Sequence, residues 1–395
     1  KTSSFGNLVC SIMITLLFFH STVRNPVTFC IFYQKNRVIK NELSYYYVDR
    51  YFIVSIKIKI LKISDLEKYD SQKMYKMYDQ WPQIARESFE LDQELINFQN
   101  IDHIVFAGMG GSGAIGDIFS SILSKSDIHV STIKGYLLPK TVDENTLVVI
   151  TSVSGNTDET LTVLHSANEI NCKIIAFSSG GKIEKFCKDN QIIFKNIAKF
   201  HSPRTSLINF TFIILKILSP ILPIKKQDIL DSINELDKIK KEIDSNNLTN
   251  SNPAINLAKW LSNIPIIYYP HGLQSVATRF KSSLQENAKV HVITEDIIES
   301  CHNGIVAWEK STKVQPILLQ GQDDYIKTKE RFHIIKEYFD ENNIEFKEVH
   351  SISGNILTKT ICLIYLLDYA TIYYAILSKV DPSPVNAINF IKEKL

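Results

Sequence analysis

Two short stretches gather residue types that can hold an oxyanion without using a cation. Gly108-Met109-Gly110-Gly111-Ser112-Gly113 and Thr151-Ser152-Val153-Ser154-Gly155-Asn156-Thr157 each follow an apolar, β-branched run and open an amphipathic segment. Where a strand feeds a helix in this way, the first helical N–H groups have no intrahelical partner and carry the positive end of the dipole. The hydroxyls of Ser112, Ser152, Ser154 and Thr157, with the backbone at Gly111, Gly155 and Asn156, then form a concave set of neutral donors suited to a phosphate. Ser, Thr, Asn and Gly also cap helices and make turns without binding anything. Two such clusters at neighbouring strand ends favour the binding reading, and a sugar phosphate is the expected ligand.

Gly108-x-Gly110-x-x-Gly113 also matches a dinucleotide fingerprint. That site needs an Asp or Glu about 20 residues further on, at the end of the second strand. Here the second strand ends in Ser131-Thr132-Ile133-Lys134-Gly135, which lacks the acid, and a dinucleotide leaves the second hydroxyl-rich turn without a role.

The elements that must position these turns follow from hydrophobic periodicity. Residues 81–97 place Ile84, Phe89, Leu91, Leu95 and Ile96 at helical spacing, predicting an entry helix. Strands are expected over 103–109, 128–133, 147–152, 173–177 and 191–197, with helices over 113–123 and 158–170. Such alternation implies right-handed crossovers and a parallel sheet covered on both faces, with ligands beyond the carboxyl ends of its strands. An apolar segment at 205–222 and a charged stretch at 225–252 separate this unit from a second one. After Pro253 come strands at 265–269, 290–293, 314–319 and 345–350, helices at 275–287, 303–308 and 326–339, a long buried helix at 354–378 and a short amphipathic one at 385–395. The expected fold class is α/β, with two domains that are each a mainly parallel five-stranded sheet flanked by helices, a three-layer αβα sandwich. The expected division is an N-terminal extension at 1–63, a first domain with its entry helix at 64–222, a helical and polar linker at 223–252 and a second domain at 253–395.

The 395 residues suit two cores. Charge is nearly balanced, 44 basic against 42 acidic side chains, which leaves no electrostatic footprint for nucleic acid. The six cysteines are widely spaced, without a CxxC or a Cys/His cluster of zinc spacing, and fit a reducing cytosol. The first sixty residues are rich in tyrosine and isoleucine and show no sustained period. The run at 8–19 could pass for a signal-peptide core, but no Ala-x-Ala-like site follows and it is too short to span a bilayer. The functional chain is expected to start near Ser64-Asp65-Leu66-Glu67.

Taken with Ser202-Pro203-Arg204, Gln285-Glu286-Asn287-Ala288-Lys289, His302-Asn303 and Asp381-Pro382 followed by Pro384-Val385, the pattern resembles the sugar isomerase (SIS) fold. In particular it resembles the archaeal-type bifunctional phosphoglucose/phosphomannose isomerases, with every motif in order over about residues 66–395. The resemblance implies an aldose–ketose isomerase acting on hexose 6-phosphates through a cis-enediol, without metal or cofactor. It implies Glu286 as the proton-shuttling base, His302 as the ring-opening residue, Arg204 as the cation that steadies the enediolate, and Lys392 as an aid to ring opening. It further implies a cytoplasmic homodimer with a shared active site, His302 being supplied across the interface, and no membrane or nucleic-acid partner. Val385 stands where related isomerases carry a polar residue that governs acceptance of the C2 epimer, a departure that bears on mannose 6-phosphate more than on glucose 6-phosphate. Two other readings within the fold are a non-catalytic sugar-phosphate regulator, which would need an effector module, and an ammonia-using amidotransferase, which would need a glutaminase domain. Neither module is visible in the sequence.

Overall fold

The computed structural model describes the backbone of residues 30–33, 44–48 and 51–55 and the whole of residues 61–394. The chain forms two compact units, 1–60 and 61–395. In the first, strands β1 (Cys30–Tyr33), β2 (Ser44–Val48) and β3 (Tyr51–Ser55) make an antiparallel sheet in the order β1-β3-β2. The candidate signal-peptide run at 8–19 lies outside the described residues.

The second unit opens with helices α1 (Ile63–Tyr69), α2 (Met74–Asp79) and α3 (Trp81–Glu90). The entry helix therefore stops at Glu90 rather than continuing to residue 97. Leu91 turns to extended backbone, and the Ile96 N–H bonds the Ile217 carbonyl, so the chain leaves the helix to run beside a neighbouring one.

Next come β4 (His103–Ala107), α4 (Gly111–Leu123), β5 (His129–Ile133), β6 (Thr146–Ser152), α5 (Asp158–Asn168), β7 (Lys173–Ser178), α6 (Gly181–Asp189) and β8 (Ile193–Asn196). All five strands pair in parallel in the order β5-β4-β6-β7-β8. β4 and β6 are buried at every position, as central parallel strands covered on both faces must be. From β4 the chain crosses to one side, and from β6 to the other. The crevice between their carboxyl ends is thus the topological switch point, where such sheets bind ligands.

Helices α7 (Leu207–Ile217), α8 (Lys226–Ile243) and α9 (Pro253–Trp260) lead to the second sheet. It contains β9 (Ile264–Tyr269), β10 (Ile293–Asp296), β11 (Val314–Gln320) and β12 (Lys347–His350), all parallel in the order β10-β9-β11-β12. The α/β class stands, with four described strands here rather than five. Between β9 and β10 runs α10 (Gln274–Ser283), which passes directly into one turn of π-helix, Leu284–Ala288. That turn occupies the end of the helix expected over 275–287, and the strand expected at 290–293 starts only at Ile293. Helix α11 (Ile297–Ser300), a 3₁₀ turn (Gly304–Glu309), α12 (Ile326–Glu341), α13 (Ile356–Leu377) and α14 (Asn386–Lys392) complete the chain.

Helix α13 is long and apolar enough to cross a membrane, but its most apolar window is 83% buried inside the protein. It is the core helix, packed with α8, α9 and α10 in one continuous apolar cluster. Its tyrosines Tyr365, Tyr369 and Tyr373 are fully buried, and each hydroxyl finds an oxygen: those of Tyr78, Asp79 and Ile243 respectively.

Candidate active site

The two hydroxyl-rich turns lie side by side because β4 pairs with β6, Ala107 opposite Ile150. They are also stitched together, since the Val153 N–H donates to Ser112 Oγ at 3.3 Å and the single hydrogen of Thr151 Oγ1 is shared between the Ala107 and Ser112 carbonyls, 3.1 and 3.2 Å away. Within the second turn Ser152 Oγ accepts from the Gly155 N–H at 3.1 Å and lies 3.1 Å from Thr157 Oγ1. Ser112 and Ser152 are buried, Gly111 and Thr157 half-buried, and Ser154 and Asn156 exposed at the rim.

A third turn, Ser178-Ser179-Gly180-Gly181, closes against this group. Asn156 Oδ1 accepts the Lys182 N–H at 3.0 Å and so caps α6, while Ser179 Oγ donates to the Val153 carbonyl at 2.6 Å. Gly155 makes this closure possible. Its φ is +68°, and a Cβ there would stand 1.7 Å from the Gly180 carbonyl oxygen. The sequence reading missed the third turn, although its Ser-Ser-Gly-Gly run ending a strand was the available signal.

Arg204 reaches the first turn through its neighbour: a Cβ on Gly111 would stand 2.8 Å from the Pro203 carbonyl oxygen. The Arg204 side chain is 5% exposed and its Nε lies 3.1 Å from Glu286 Oε2. Nη1 donates to Asn287 Oδ1 at 2.5 Å and to the Pro382 carbonyl at 2.9 Å, and Nη2 donates to the Ser383 carbonyl at 2.9 Å. Three of the guanidinium's five donors are thereby engaged in hydrogen bonds among the described residues, and Nε faces the Glu286 carboxylate as an ion pair. Glu286, a quarter exposed, sits in the π-helical turn, where the widened ladder turns Glu286 and Asn287 together toward Arg204. Lys289, left-handed at φ +60°, ends the turn and donates to the Pro384 carbonyl at 2.9 Å. Partial burial first, then the Arg204 charge, lower its pKa.

One chain therefore assembles the two hydroxyl-rich turns, Arg204 and Glu286. It does not bring the other two predicted residues to them. His302 is exposed after α11, and Lys392 is exposed on α14, which has no buried residue. Segment 381–384 crosses the site instead, held by Arg204, by Lys289 and by Ser383 Oγ, 3.3 Å from Asp70 Oδ1. A surface cleft of about 680 Å³ between α4 and α10, lined by Asp117, Lys134, His271 and Ser275 among others, contains none of the predicted residues.

Comparisons with known proteins bear on the fold and the family. The profile described as "Bacterial phospho-glucose isomerase C-terminal SIS domain" matches residues 250–395, and the SIS domain profile matches residues 97–218. A bifunctional phosphoglucose/phosphomannose isomerase from Caldicellulosiruptor bescii is 30% identical over 328 residues, covering 80% of this chain and 96% of its own. The chain belongs to the bifunctional phosphoglucose/phosphomannose isomerase family. A second member of that name, from Aquifex aeolicus, is 29% identical, covering 74% of this chain and 90% of its own. Among solved structures, the C-terminal domain of glucosamine-fructose-6-phosphate aminotransferase from Francisella tularensis superposes with a TM-score of 0.59 at 16% identity, covering 78% of this chain and 97% of that one, a likeness of fold.

Proposed function

We propose that this chain interconverts glucose 6-phosphate, and also mannose 6-phosphate, with fructose 6-phosphate through a cis-enediol and without metal. The observation that carries the reading is the Arg204–Glu286 pair, 3.1 Å apart, standing beside the phosphate turns at the switch point of the first sheet. The turns would grip the dianionic phosphate with neutral donors and helix ends. Glu286 would take the proton from one of the two reacting carbons and return it to the other. The Arg204 charge would stabilise the enediolate oxygen, the place where negative charge develops.

His302 and Lys392 serve ring opening in this reading. Their exposure in the single chain suits a homodimer in which His302 comes from a second copy. Ile388, Phe390 and Ile391, exposed on α14, supply apolar surface for such an assembly. Sedimentation velocity should give a dimer, and a monomer that is fully active would remove the shared site. The decisive assay follows glucose 6-phosphate formed from fructose 6-phosphate, with chelator present. Sustained turnover supports the reading, loss of turnover with chelator removes metal independence, and binding without turnover leaves a sugar-phosphate sensor.

A further inference from the structure

Outside the residues discussed so far lies a fully buried ion pair. Arg279 of α10 is 3% exposed and Asp368 of α13 is 0% exposed, with Nη2 2.6 Å and Nε 3.1 Å from Asp368 Oδ2. Ser283 Oγ donates to Oδ1 at 2.6 Å and the Tyr78 hydroxyl to Oδ2 at 3.3 Å, so the carboxylate is fully partnered. Buried pairs of this kind are weak contributors to stability, because desolvation of both ions offsets their attraction. What distinguishes this one is where its remaining bonds lead.

Both routes end on Arg204. Directly, Arg279 Nη2 donates to the Arg204 backbone carbonyl at 2.8 Å. Indirectly, Thr371 Oγ1 donates to the Asp368 carbonyl at 2.7 Å, and Asn287 Nδ2 lies 2.7 Å from the same Thr371 oxygen. A hydroxyl has one hydrogen. Because Thr371 gives its hydrogen to Asp368, it can only accept from Asn287, so the amide NH₂ must face Thr371. The amide oxygen then has to face Arg204 Nη1, 2.5 Å away. The donor-only guanidinium on one side and the Thr371 hydroxyl on the other thus hold the Asn287 amide in one orientation.

Resting on the isomerase reading above, we propose that Thr371, backed by the Arg279–Asp368 pair, is a positioning residue. It fixes the Asn287 amide and through it the Arg204 guanidinium. Thr371→Val keeps the shape and removes the hydroxyl. It should lower kcat for fructose 6-phosphate about tenfold, with KM within about twofold, because a misdirected cation fails mainly in the transition state. Thr371→Ser should restore kcat.

A readout free of turnover accompanies this. The ¹⁵Nε–¹H resonance of Arg204, assigned by its loss in Arg204→Lys, should exchange with solvent faster in Thr371→Val and recover in Thr371→Ser. If wild-type protein has no isomerase activity, the functional reading falls while the resonance still tests the positioning. An unchanged Arg204 resonance in Thr371→Val overturns the proposal, as does a loss of kcat that Thr371→Ser fails to repair.

Discussion

In the proposed reaction a carboxylate that ferries hydrogen between adjacent carbons must be accessible yet stay oriented, and Glu286 has one oxygen on Arg204 and a quarter of its side chain exposed. Glu286→Gln keeps the shape and loses the base; kcat should fall by about 100-fold or more while an acyclic sugar-acid phosphate still binds, read by calorimetry alongside the coupled assay. Arg204→Lys replaces a planar fork with a point charge and cannot hold Asn287, Pro382 and Ser383 together. It should lower kcat by about 10²–10³-fold and also lower Tm, so unchanged kcat would remove the cation from the chemistry. Beside the site, both ring nitrogens of His201 are buried, and burial, assisted by the Arg204 charge, lowers its pKa more than Asp70 and the Gln72 backbone raise it. The folded protein then binds fewer protons than the unfolded chain below the ordinary value of 6.5. Stability from this group is present above that value and is lost as pH falls through the lowered one. His103 acts in the same direction, again through burial. Urea unfolding between pH 7.5 and 5.5 should show the decline, and His201→Gln should make it shallower; an equal slope in the variant would count against the buried, neutral ring.

At the scale of elements, the strand-to-helix turns were legible because glycine and hydroxyl residues have local reasons to sit where they do. Gly155 combines a left-handed φ with direct contact against the Gly180 backbone, so Gly155→Ala must move one turn off the other. It should cost more than about 1 kcal/mol in a denaturant titration and weaken inorganic phosphate binding, whereas a neutral outcome would mean the turns do not pack as described. The π-helical turn at Leu284–Ala288 was not legible. Periodicity marks where apolar residues fall, and a single widened turn leaves that pattern almost unaltered. The early end of α3 was hidden for a related reason, since apolar residues continue past Glu90, but Leu91 and Leu95 are exposed and only Ile96 of the three packs against α7.

For the whole molecule, stability rests on the apolar layer that α7, α8, α9 and α13 make behind the two sheets. Phe212 of α7 is fully buried there, and Phe212→Ala should cost about 3–5 kcal/mol by urea unfolding; a cost near zero would mean that the layer is loosely packed. The sequence by itself determined the α/β class, the two glycine- and hydroxyl-rich strand-to-helix turns and the family, because strand and helix periods, helix-end chemistry and short motifs are local properties of the chain. Only the tertiary structure decided that Arg204 and Glu286, 82 positions apart by their numbers (286 less 204), form a pair. It alone showed that α13 is a core helix, and that Thr371 and Asp368 reach the site through Asn287. Hydrogen-bond order and burial belong to atoms brought together from distant segments, and no spacing along the chain encodes which of them will meet.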